Sequence, residues 1–366
     1  MIKDIFEIVA PTRLAFDKDP IGLQIGTWNA QVDKLLVSLD VNEQVVDEAI
    51  SIGAQMIFCH HAIFYKPISK IIVDSPEGRI INKIIKNNIS IYVAHTNLDI
   101  VDDGVNDVLV NSLGLEEIDV LQTTKIDNFK KLVVFVPKSH HQLVLNAIND
   151  AGAGSIGDYS HCSFNVAGMG TFMPLEGSSP YIGDYKQVSE VDEIRIETII
   201  DDTIQTKVIS AMLAAHPYEE VAYDIYNLEM QAKKYGIGRI GNYKTPILLS
   251  EFMDKVKKTL NLSVLQTAGI SKETIKRVAV CGGSGAKLIS SAKSKNADVF
   301  LTGDVSYHDA QWAADNGLIL INAGHYQTER LIVPIVTKKL KELFDNNGLD
   351  IEVIASEINT DPFQFM

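Results

Sequence analysis

The sequence has little cysteine and a deficit of positive charge. Its three cysteines, Cys59, Cys162 and Cys281, are far apart among 366 residues, which argues against a disulfide framework and against a Cys-x-x-Cys zinc site. Basic residues number 33 against 47 acidic ones, giving a net charge of −14. We therefore expect no nonspecific binding of nucleic acid, which requires a basic surface. A single bound nucleotide is compatible with this charge, because a metal ion reverses the local field.

The sequence also lacks a long apolar run, so we expect no membrane-spanning segment. Residues Met1–Val9 have the pattern of an amphipathic helix with acidic positions and lack the apolar core of a signal peptide. We expect a cytoplasmic protein. The composition, 46% hydrophobic and 22% charged, is typical of folded proteins, and the length suits two or three domains.

Short apolar runs alternate with helical patterns in the first and last thirds of the chain. The predicted strands are Leu35–Leu39, Met56–Cys59, Ile89–Ala94, Arg277–Val280, Val299–Leu301, Leu318–Ile321 and Ile351–Ala355. The predicted helices are Asn42–Ile52, Glu77–Lys86, Asp102–Leu113, Ala286–Lys295, His308–Asp315 and Gln327–Phe344. This alternation predicts a largely parallel sheet, covered on both faces, in each of the two thirds.

The two thirds can be aligned with each other. Ala54–His61 matches Ala297–Asp304, and Tyr92–Asp99 matches Ile321–Glu329. In the second pair an apolar run ends in a histidine, and a carboxylate follows at the fourth residue. We infer an internal duplication, which comparable strand orders would support and unrelated strand orders would contradict.

The segment from Ile126 to Met230 has a different order of predicted strands and helices. Its predicted elements are strand Lys131–Val136, helix Gln142–Ala151, two short strands near Cys162–Ala167 and Gly170–Met173, strand Glu193–Ile200, helix Asp202–Ala214 and strand Val221–Tyr226. This series has one strand more than the strand-helix-strand-strand-helix-strand order that is typical of a ferredoxin-like α+β module, and we predict that fold. We therefore divide the chain into a first core half (1–125), an inserted domain (126–230) and a second core half (231–366).

Histidines and carboxylates collect where the predicted strands end. Neighbouring residues on a strand point to opposite faces, so His60 and His61 can share a site only because the strand ends there. Ligands of open α/β sheets gather at the carboxyl ends of strands, where His95, Asp304 and His325 also lie. Imidazole and carboxylate are ligands of zinc, iron and manganese.

Spacing adds carboxylates to this group. Glu329 follows His325, and Asp99 follows His95, by four residues, which places each pair on one face of a helix. Either carboxylate could bridge two metal ions. The predicted metal ligands are His60, His61, Asp99, His325 and Glu329.

Other polar residues have open roles. We consider His95, Asp304 and His308 either as proton donors or ligand-orienting residues, or as strand-end residues that only form hydrogen bonds. The pair His140-His141 follows Ser139, which we interpret as the N-cap of a surface helix.

Two loops remain ambiguous. Cys281–Gly285 could hold phosphate on its backbone N–H groups or be a tight turn. His216–Glu220 could bind a ligand or partner, or simply end a helix at its proline.

Several of these motifs together resemble one family, the GTP cyclohydrolase I type 2 homologues, also called Nif-three-like proteins. The motifs are Asp19–Gly26, Cys59–Phe64, His95–Asp99, Thr302–Asp304 with His308, and Gly324–Glu329. The resemblance implies a duplicated two-half α/β core of Nif-three-like fold. It implies an inserted ferredoxin-like domain of the PII/CutA type, in which Ala151–Gly157 and His216–Glu220 lie.

The resemblance further implies a dinuclear metal site built from His60, His61, Asp99, His325 and Glu329. It implies a toroidal homohexamer with these sites facing an internal cavity. The family name implies opening of the guanine imidazole ring of GTP with release of formate.

We expect a metal-dependent hydrolase that acts on a nucleotide and holds two divalent ions per subunit. Zinc is the expected metal, with iron and manganese as alternatives. One alternative function is a non-catalytic hexameric metal-binding scaffold or a PII-like ligand sensor. Another is metal storage or delivery.

Overall fold

The computed structural model describes residues 1–229 and 233–364. Unit one comprises Met1–Lys125 and Tyr235–Met366, and unit two comprises Ile126–Lys234. The predicted domain boundary between residues 230 and 231 lies outside the described residues. Among the described helices, none has both the length and the apolar character needed to cross a membrane.

Helices and strands alternate through unit one. Its first segment contains α1 (Ile2–Val9), β1 (Gly22–Ile25), β2 (Lys34–Ser38), α2 (Glu43–Ile52), β3 (Met56–Cys59), α3 (Pro76–Lys86), β4 (Ser90–Val93), α4 (Thr96–Ile100), α5 (Val105–Ser112) and β5 (Glu116–Ile126).

Unit two contains β6 (Phe129–Pro137), α6 (His141–Asp150), β7 (Ser163–Phe172), β8 (Ser189–Asp201), α7 (Gln205–Ala215) and β9 (Tyr223–Asn227).

The second segment of unit one contains β10 (Lys234–Leu248), α8 (Leu249–Leu260), β11 (Gln266–Ala268), β12 (Thr274–Val280), α9 (Ile289–Ser294), β13 (Val299–Thr302), α10 (Tyr307–Asp315), β14 (Ile319–Asn322), α11 (His325–Glu329), α12 (Ile332–Asn346) and β15 (Glu352–Ala355).

Unit one has two sheets with the same central topology. In sheet one the strand order is β1-β4-β3-β2-β15, and in sheet two it is β11-β14-β13-β12-β10-β5. Each sheet contains three parallel strands that follow one another along the chain, namely β2, β3 and β4 in sheet one and β12, β13 and β14 in sheet two. In each sheet the last of the three pairs with an antiparallel edge strand, β1 or β11, which precedes all three in sequence. This shared order is the outcome that an internal duplication requires.

The parallel strands are covered on both faces, as their continuous apolar runs predict. In sheet one, Phe58 packs in a cluster with Phe6 of α1 and Phe344 of α12. Its neighbour Ile57 packs on the other face, with Ile84 of α3. Sheet two is likewise covered by one cluster on each face.

Some predicted boundaries were wrong. The predicted helix Gln327–Phe344 is two helices, α11 and α12, which are separated at Arg330 and Leu331. Helix α6 follows His140 without a side-chain cap, so Ser139 is not its N-cap; the Ser139 hydroxyl instead lies 3.0 Å from Nδ1 of His140.

Unit two is a four-stranded antiparallel sheet with two helices. The two short strands predicted near Cys162 and Gly170 form one continuous strand, β7. The strand order is β7-β8-β6-β9, and every neighbouring pair is antiparallel. Helices α6 and α7 pack on this sheet around buried residues such as Val144, Ile196 and Met212.

Candidate metal centre

The end of β3 turns two neighbouring imidazoles towards one point. The backbone N–H groups of His60 and His61 both donate to the carbonyl of Leu39, at 3.1 and 2.9 Å. The chain therefore leaves the extended conformation, in which adjacent side chains would point to opposite faces. The two imidazole centroids lie 4.9 Å apart.

The end of β14 supplies a third imidazole and a carboxylate. Gly324, with φ of +83°, lets the chain turn into α11, which begins at His325. The short helix brings His325 Nε2 within 3.1 Å of Glu329 Oε2, as the four-residue spacing predicts. In the first half, α4 begins after His95 and contains Asp99.

These side chains meet in one cluster within unit one. Glu329 is central: its Oε2 lies 3.1 Å from Nε2 of both His61 and His325, and its Oε1 lies 3.8 Å from Nε2 of His60. His60 Nε2 is also 3.6 Å from Asp99 Oδ1. The structure thus brings together the five predicted metal ligands.

Buried atoms without hydrogen bonds face this centre. Nε2 of His60, Oδ1 of Asp99 and Oε2 of Glu329 are fully buried and have no hydrogen-bond partner among the described residues. The Nε2 atoms of His61 and His325 approach Glu329 Oε2 to 3.1 Å without forming a hydrogen bond to it. Burying such atoms unpaired is costly, and an ion bound between them would satisfy all three. Three overlapping groups of these side chains could hold a metal ion.

Each imidazole is oriented through its other nitrogen. Nδ1 of His60 lies 2.9 Å from the carbonyl oxygen of Ala94. The remaining pairs join Nδ1 to a carboxylate: His61 to Asp40 at 2.7 Å, His325 to Asp304 at 2.6 Å and His95 to Asp19 at 2.8 Å. Such partners leave Nε2 as the ligand atom and are typical of metal-binding histidines.

The cluster concentrates negative charge. Burial disfavours the charged imidazole of His61, but its close carboxylates outweigh burial and raise its pKa to about 10. The same balance raises the pKa of His325 to about 9. Burial raises the pKa of Asp99. Burial also opposes ionisation of Glu329, yet the surrounding imidazoles hold the pKa of Glu329 well below its usual value. The site attracts a cation, whether a proton or a metal ion.

The three remaining predicted residues have different positions. His95 joins the cluster, because it forms one of the potential ligand groups with His60 and His61. Asp304 is half-exposed and orients His325 rather than facing the centre. His308 lies on α10, exposed and next to Tyr307, and is not among the residues that line the cavity beside the cluster.

The glycine-rich loop after β12 supports the cluster. The N–H groups of Gly282, Gly283 and Gly285 donate to side chains of Asn106, Thr328 and Thr302, at 2.9 to 3.0 Å. They are therefore not available to phosphate, and the tight-turn interpretation is the better one. A Cβ at Gly283 would lie 2.0 Å from Glu329 Oε1, so the lack of a side chain at this position leaves room for the Glu329 carboxylate.

The sequence did not identify Asp40 and Asp19 as the carboxylates that orient His61 and His95. Asp40 follows the first parallel strand, so the strand-end rule that selected His60 also applies to it. Its other oxygen accepts the hydroxyl of Thr360, far away in sequence. Asp19 lies in an irregular loop; it begins the Asp19–Gly26 motif of the family resemblance, but no strand or helix pattern there assigned it a role.

A cavity of about 1010 Å³ opens beside the cluster. His61, His95 and His325 line it, together with Tyr65 and Asp361. Among the described residues that form its wall there is no lysine or arginine. Lysine and arginine therefore give no charge compensation to a substrate with several negative charges, and bound metal ions would supply it.

Comparisons with known proteins point to one family. The family model of Duf34/NIF3 (NGG1p interacting factor 3) matches residues 1–362. A Halalkalibacterium halodurans protein named GTP cyclohydrolase 1 type 2 homolog is 44% identical over 362 residues, covering 99% of this chain and 97% of that protein. A Bacillus subtilis protein of the same name is 42% identical over 365 residues, with coverage of 100% and 98%. The solved structure of a Bacillus cereus protein related to NIF3 has a TM-score of 0.87 and 45% identity, with coverage of 100% and 98%.

Proposed function

The chain belongs to the Duf34/NIF3 family, and from that premise we propose that it is a metal-dependent hydrolase of a nucleotide. Its buried cluster would hold two divalent ions, with zinc the expected metal and iron or manganese the alternatives. The nucleotide is the substrate class because relatives carry the name GTP cyclohydrolase 1 type 2 homolog.

One observation carries the proposal: three fully buried ligand atoms have no hydrogen-bond partner among the described residues. The residues that would hold the ions are His60, His61, Asp99, His325 and Glu329. Bound divalent ions would supply Lewis acidity, which makes water a stronger acid and polarises a substrate oxygen.

The chain's own residues have distinct roles in this proposal. Asp40 and Asp304 fix the imidazoles of His61 and His325 through Nδ1. His95 borders the cavity, and its Nδ1 is held by Asp19. It is therefore the residue best placed to pass a proton at Nε2. Among the described contacts, none joins His308 to the cluster, so we assign it no step.

The first experiment is metal analysis of the purified protein, followed by turnover assays. Protein loaded with zinc or manganese should hydrolyse a member of a nucleotide panel that includes GTP. Glu329→Gln and His325→Ala should lower turnover by more than a hundredfold. His141→Ala, which changes a histidine of unit two, should leave turnover unchanged.

A chelator supplies the decisive comparison. Because the described wall of the cavity contains no lysine or arginine, metal removal should weaken nucleotide binding as well as abolish turnover. Turnover that survives complete metal removal would refute the proposal. Metal binding without turnover of any nucleotide would favour a non-catalytic scaffold, and rapidly exchanging ions would favour storage.

A second candidate function is a ligand sensor. Unit two has the element order and antiparallel strand order expected of a ferredoxin-like module. We propose that it is an inserted domain of the PII/CutA type.

We also propose a cytoplasmic toroidal homohexamer with the metal sites facing its cavity. Light scattering of the purified protein at a sixfold subunit mass would support this assembly, and a monomer would refute it.

A further inference from the structure

Unit two contains a cavity that the proposed hydrolysis does not use. Its volume is about 590 Å³. The wall is formed by β7, by parts of β6 and β8, by the loop that follows β7 and by the loop that contains His216–Glu220. A space of this size suits a small organic molecule.

Aromatic rings form one side of this cavity. Tyr218 lies with its ring centroid 5.8 Å from that of Phe172 and 6.4 Å from that of Tyr181. The loop that carries Tyr218 is held in place by His216. One ring nitrogen of His216 lies 3.0 Å from the carbonyl oxygen of Phe135, and the other accepts the Tyr218 N–H at 3.1 Å. The ring faces are therefore preorganised, and such faces attract cations.

A buried carboxylate forms another side. Glu193 is 9% exposed, and its Oε1 accepts the Tyr218 hydroxyl at 3.1 Å. A Cβ at Gly170 would lie 2.1 Å from its Oε2, so the glycine makes room for this carboxylate in the wall. Among the described residues, the neutral phenol is the partner found for Glu193. A buried charge with so little compensation is unfavourable unless a cation approaches it.

The basic residue in the wall is already engaged. Arg195 Nε lies 2.9 Å from Glu197 Oε1, and its guanidinium lies 5.7 Å from the ring centroid of Phe135. Glu219 and Glu220 add two further acidic side chains to the wall. The cavity as a whole is therefore apolar and aromatic, with an excess of negative charge.

We propose that unit two binds a small organic cation, an amine attached to an apolar or aromatic body. The ammonium group would lie at Glu193, and the body would pack against Phe172, Tyr181 and Tyr218. This site is separate from the metal cluster and does not depend on hydrolysis. It would make unit two a receptor for amines rather than for anionic metabolites.

A matched pair of probes tests the charge preference. Tryptamine and 3-indolepropionate carry the same ring with opposite charge, and each can be titrated calorimetrically into the full-length protein. We expect tryptamine to bind with a submillimolar Kd and at least tenfold more tightly than the acid.

Two variant pairs test the location. Glu193→Gln keeps the size and the acceptor for Tyr218 but removes the charge, and it should weaken tryptamine binding at least tenfold. Glu190→Gln removes an exposed charge on the same strand outside the cavity wall and should have no effect. Tyr181→Ala should weaken binding severalfold, whereas Tyr185→Ala, outside the wall, should not.

Three results would overturn the proposal. The first is equal binding of the amine and the acid, or tighter binding of the acid. The second is no binding of tryptamine at several millimolar, as expected if a second copy of the chain fills the cavity. The third is an equal loss in Glu190→Gln and Glu193→Gln. Metal content measured on the same samples separates these results from any change at the metal cluster.

Discussion

The imidazoles of the cluster are fixed by their second nitrogen before any ligand binds. Three of the four Nδ1 atoms face a carboxylate, and the fourth faces a backbone carbonyl. A carboxylate partner makes an imidazole more basic and holds it in one tautomer. The affinity for metal should therefore depend on residues that do not touch the ion.

Asp40 offers a test of this dependence. Asp40→Asn keeps an acceptor for His61 but removes its charge, so we expect metal affinity to fall about 10- to 100-fold. The affinity can be measured by competition with a chromophoric zinc chelator. Asp47→Asn, which removes an exposed charge that pairs with Lys83, is the control and should bind zinc normally. Unchanged affinity in Asp40→Asn would show that orientation of His61 is unimportant.

Gly283 tests the packing behind the carboxylate ligand. Its φ is +60°, and an added Cβ would lie 2.0 Å from Glu329 Oε1 and 3.1 Å from His325 Nε2. Gly283→Ala should therefore displace both ligands and lose most bound metal, in addition to about 1–3 kcal/mol of backbone strain. Gly317 has φ of +65° with open space around it, so Gly317→Ala carries the backbone strain alone. Metal content and the free energy of unfolding distinguish them, and equal metal content would contradict the prediction.

Residues at strand ends could be predicted from the sequence, but not their pairing. The strand-end rule found His60 and His325 and, applied consistently, would have found Asp40. His308 was a candidate through the family motif that also contains Thr302–Asp304, and it lies exposed on α10. A strand end indicates where a residue lies; which partner it contacts depends on chain segments far away, such as Thr360 beside Asp40.

The two sheets of unit one begin their second parallel strand in the same way. Gln55 precedes β3, and its Oε1 accepts the N–H groups of Asp33 and Lys34 at 2.8 and 2.9 Å. Asp298 precedes β13, and its Oδ2 accepts the consecutive N–H groups of Lys276 and Arg277 within β12, both at 2.9 Å. Since Gln55 and Asp298 are equivalent in the alignment of the halves, this shared contact supports the duplication independently of strand order.

The contact between the Asp298 carboxylate and the backbone of β12 should make the free energy of unfolding depend on pH. Burial opposes ionisation of Asp298, but the backbone N–H groups and Lys272 outweigh it and lower its pKa. The stabilisation is thus fully present above the ordinary pKa of an aspartate and is lost as the pH falls through the lowered pKa. Asp298→Asn should cost about 1–2 kcal/mol at pH 7, since bonds to a charged acceptor are the stronger kind.

Denaturant unfolding at several pH values measures this effect. The difference between the original chain and Asp298→Asn should narrow as the pH falls below 4. Asp350→Asn removes an exposed carboxylate and is the control. A difference that stays constant from pH 7 to pH 3 would mean that the charge of Asp298 contributes nothing.

Strands with a strong hydrophobic pattern could be predicted from the sequence, and strands without one could not. Most central strands are buried apolar runs, and the sequence identified the bounds of β2, β3, β4, β13 and β14 within one residue. Strand β12, whose first half is partly exposed, begins three residues before its predicted start at Arg277. The edge strand β1 is half-buried along its length, and β11 has only three residues, so neither gives a clear signal. Strand β7 is mostly exposed on an edge of its sheet, which explains why it was divided into two.

At the scale of the whole molecule, each unit has its own hydrophobic core. The four clusters of unit one come from its two chain segments, and the cluster of unit two comes from residues between Leu132 and Ile225. The change of sequence rhythm near Ile126 already indicated a separate segment. Its ligand chemistry could not be predicted, because the cavity around Glu193 joins residues from β7, β8 and two loops.

Excision of unit two tests whether the core and its metal cluster are self-sufficient. The N–H of Asp127 donates to the carbonyl of Lys233 at 3.0 Å, so a short turn can replace the residues between them. Strands β5 and β10 are neighbours in sheet two, and an Asn-Gly turn would connect them as a hairpin. The shortened chain should fold and bind the same number of metal ions per chain, because every predicted ligand lies in unit one. It should no longer bind tryptamine. Circular dichroism, metal analysis and calorimetry check these outcomes, and a folded core without metal would show that unit two contributes to the metal centre.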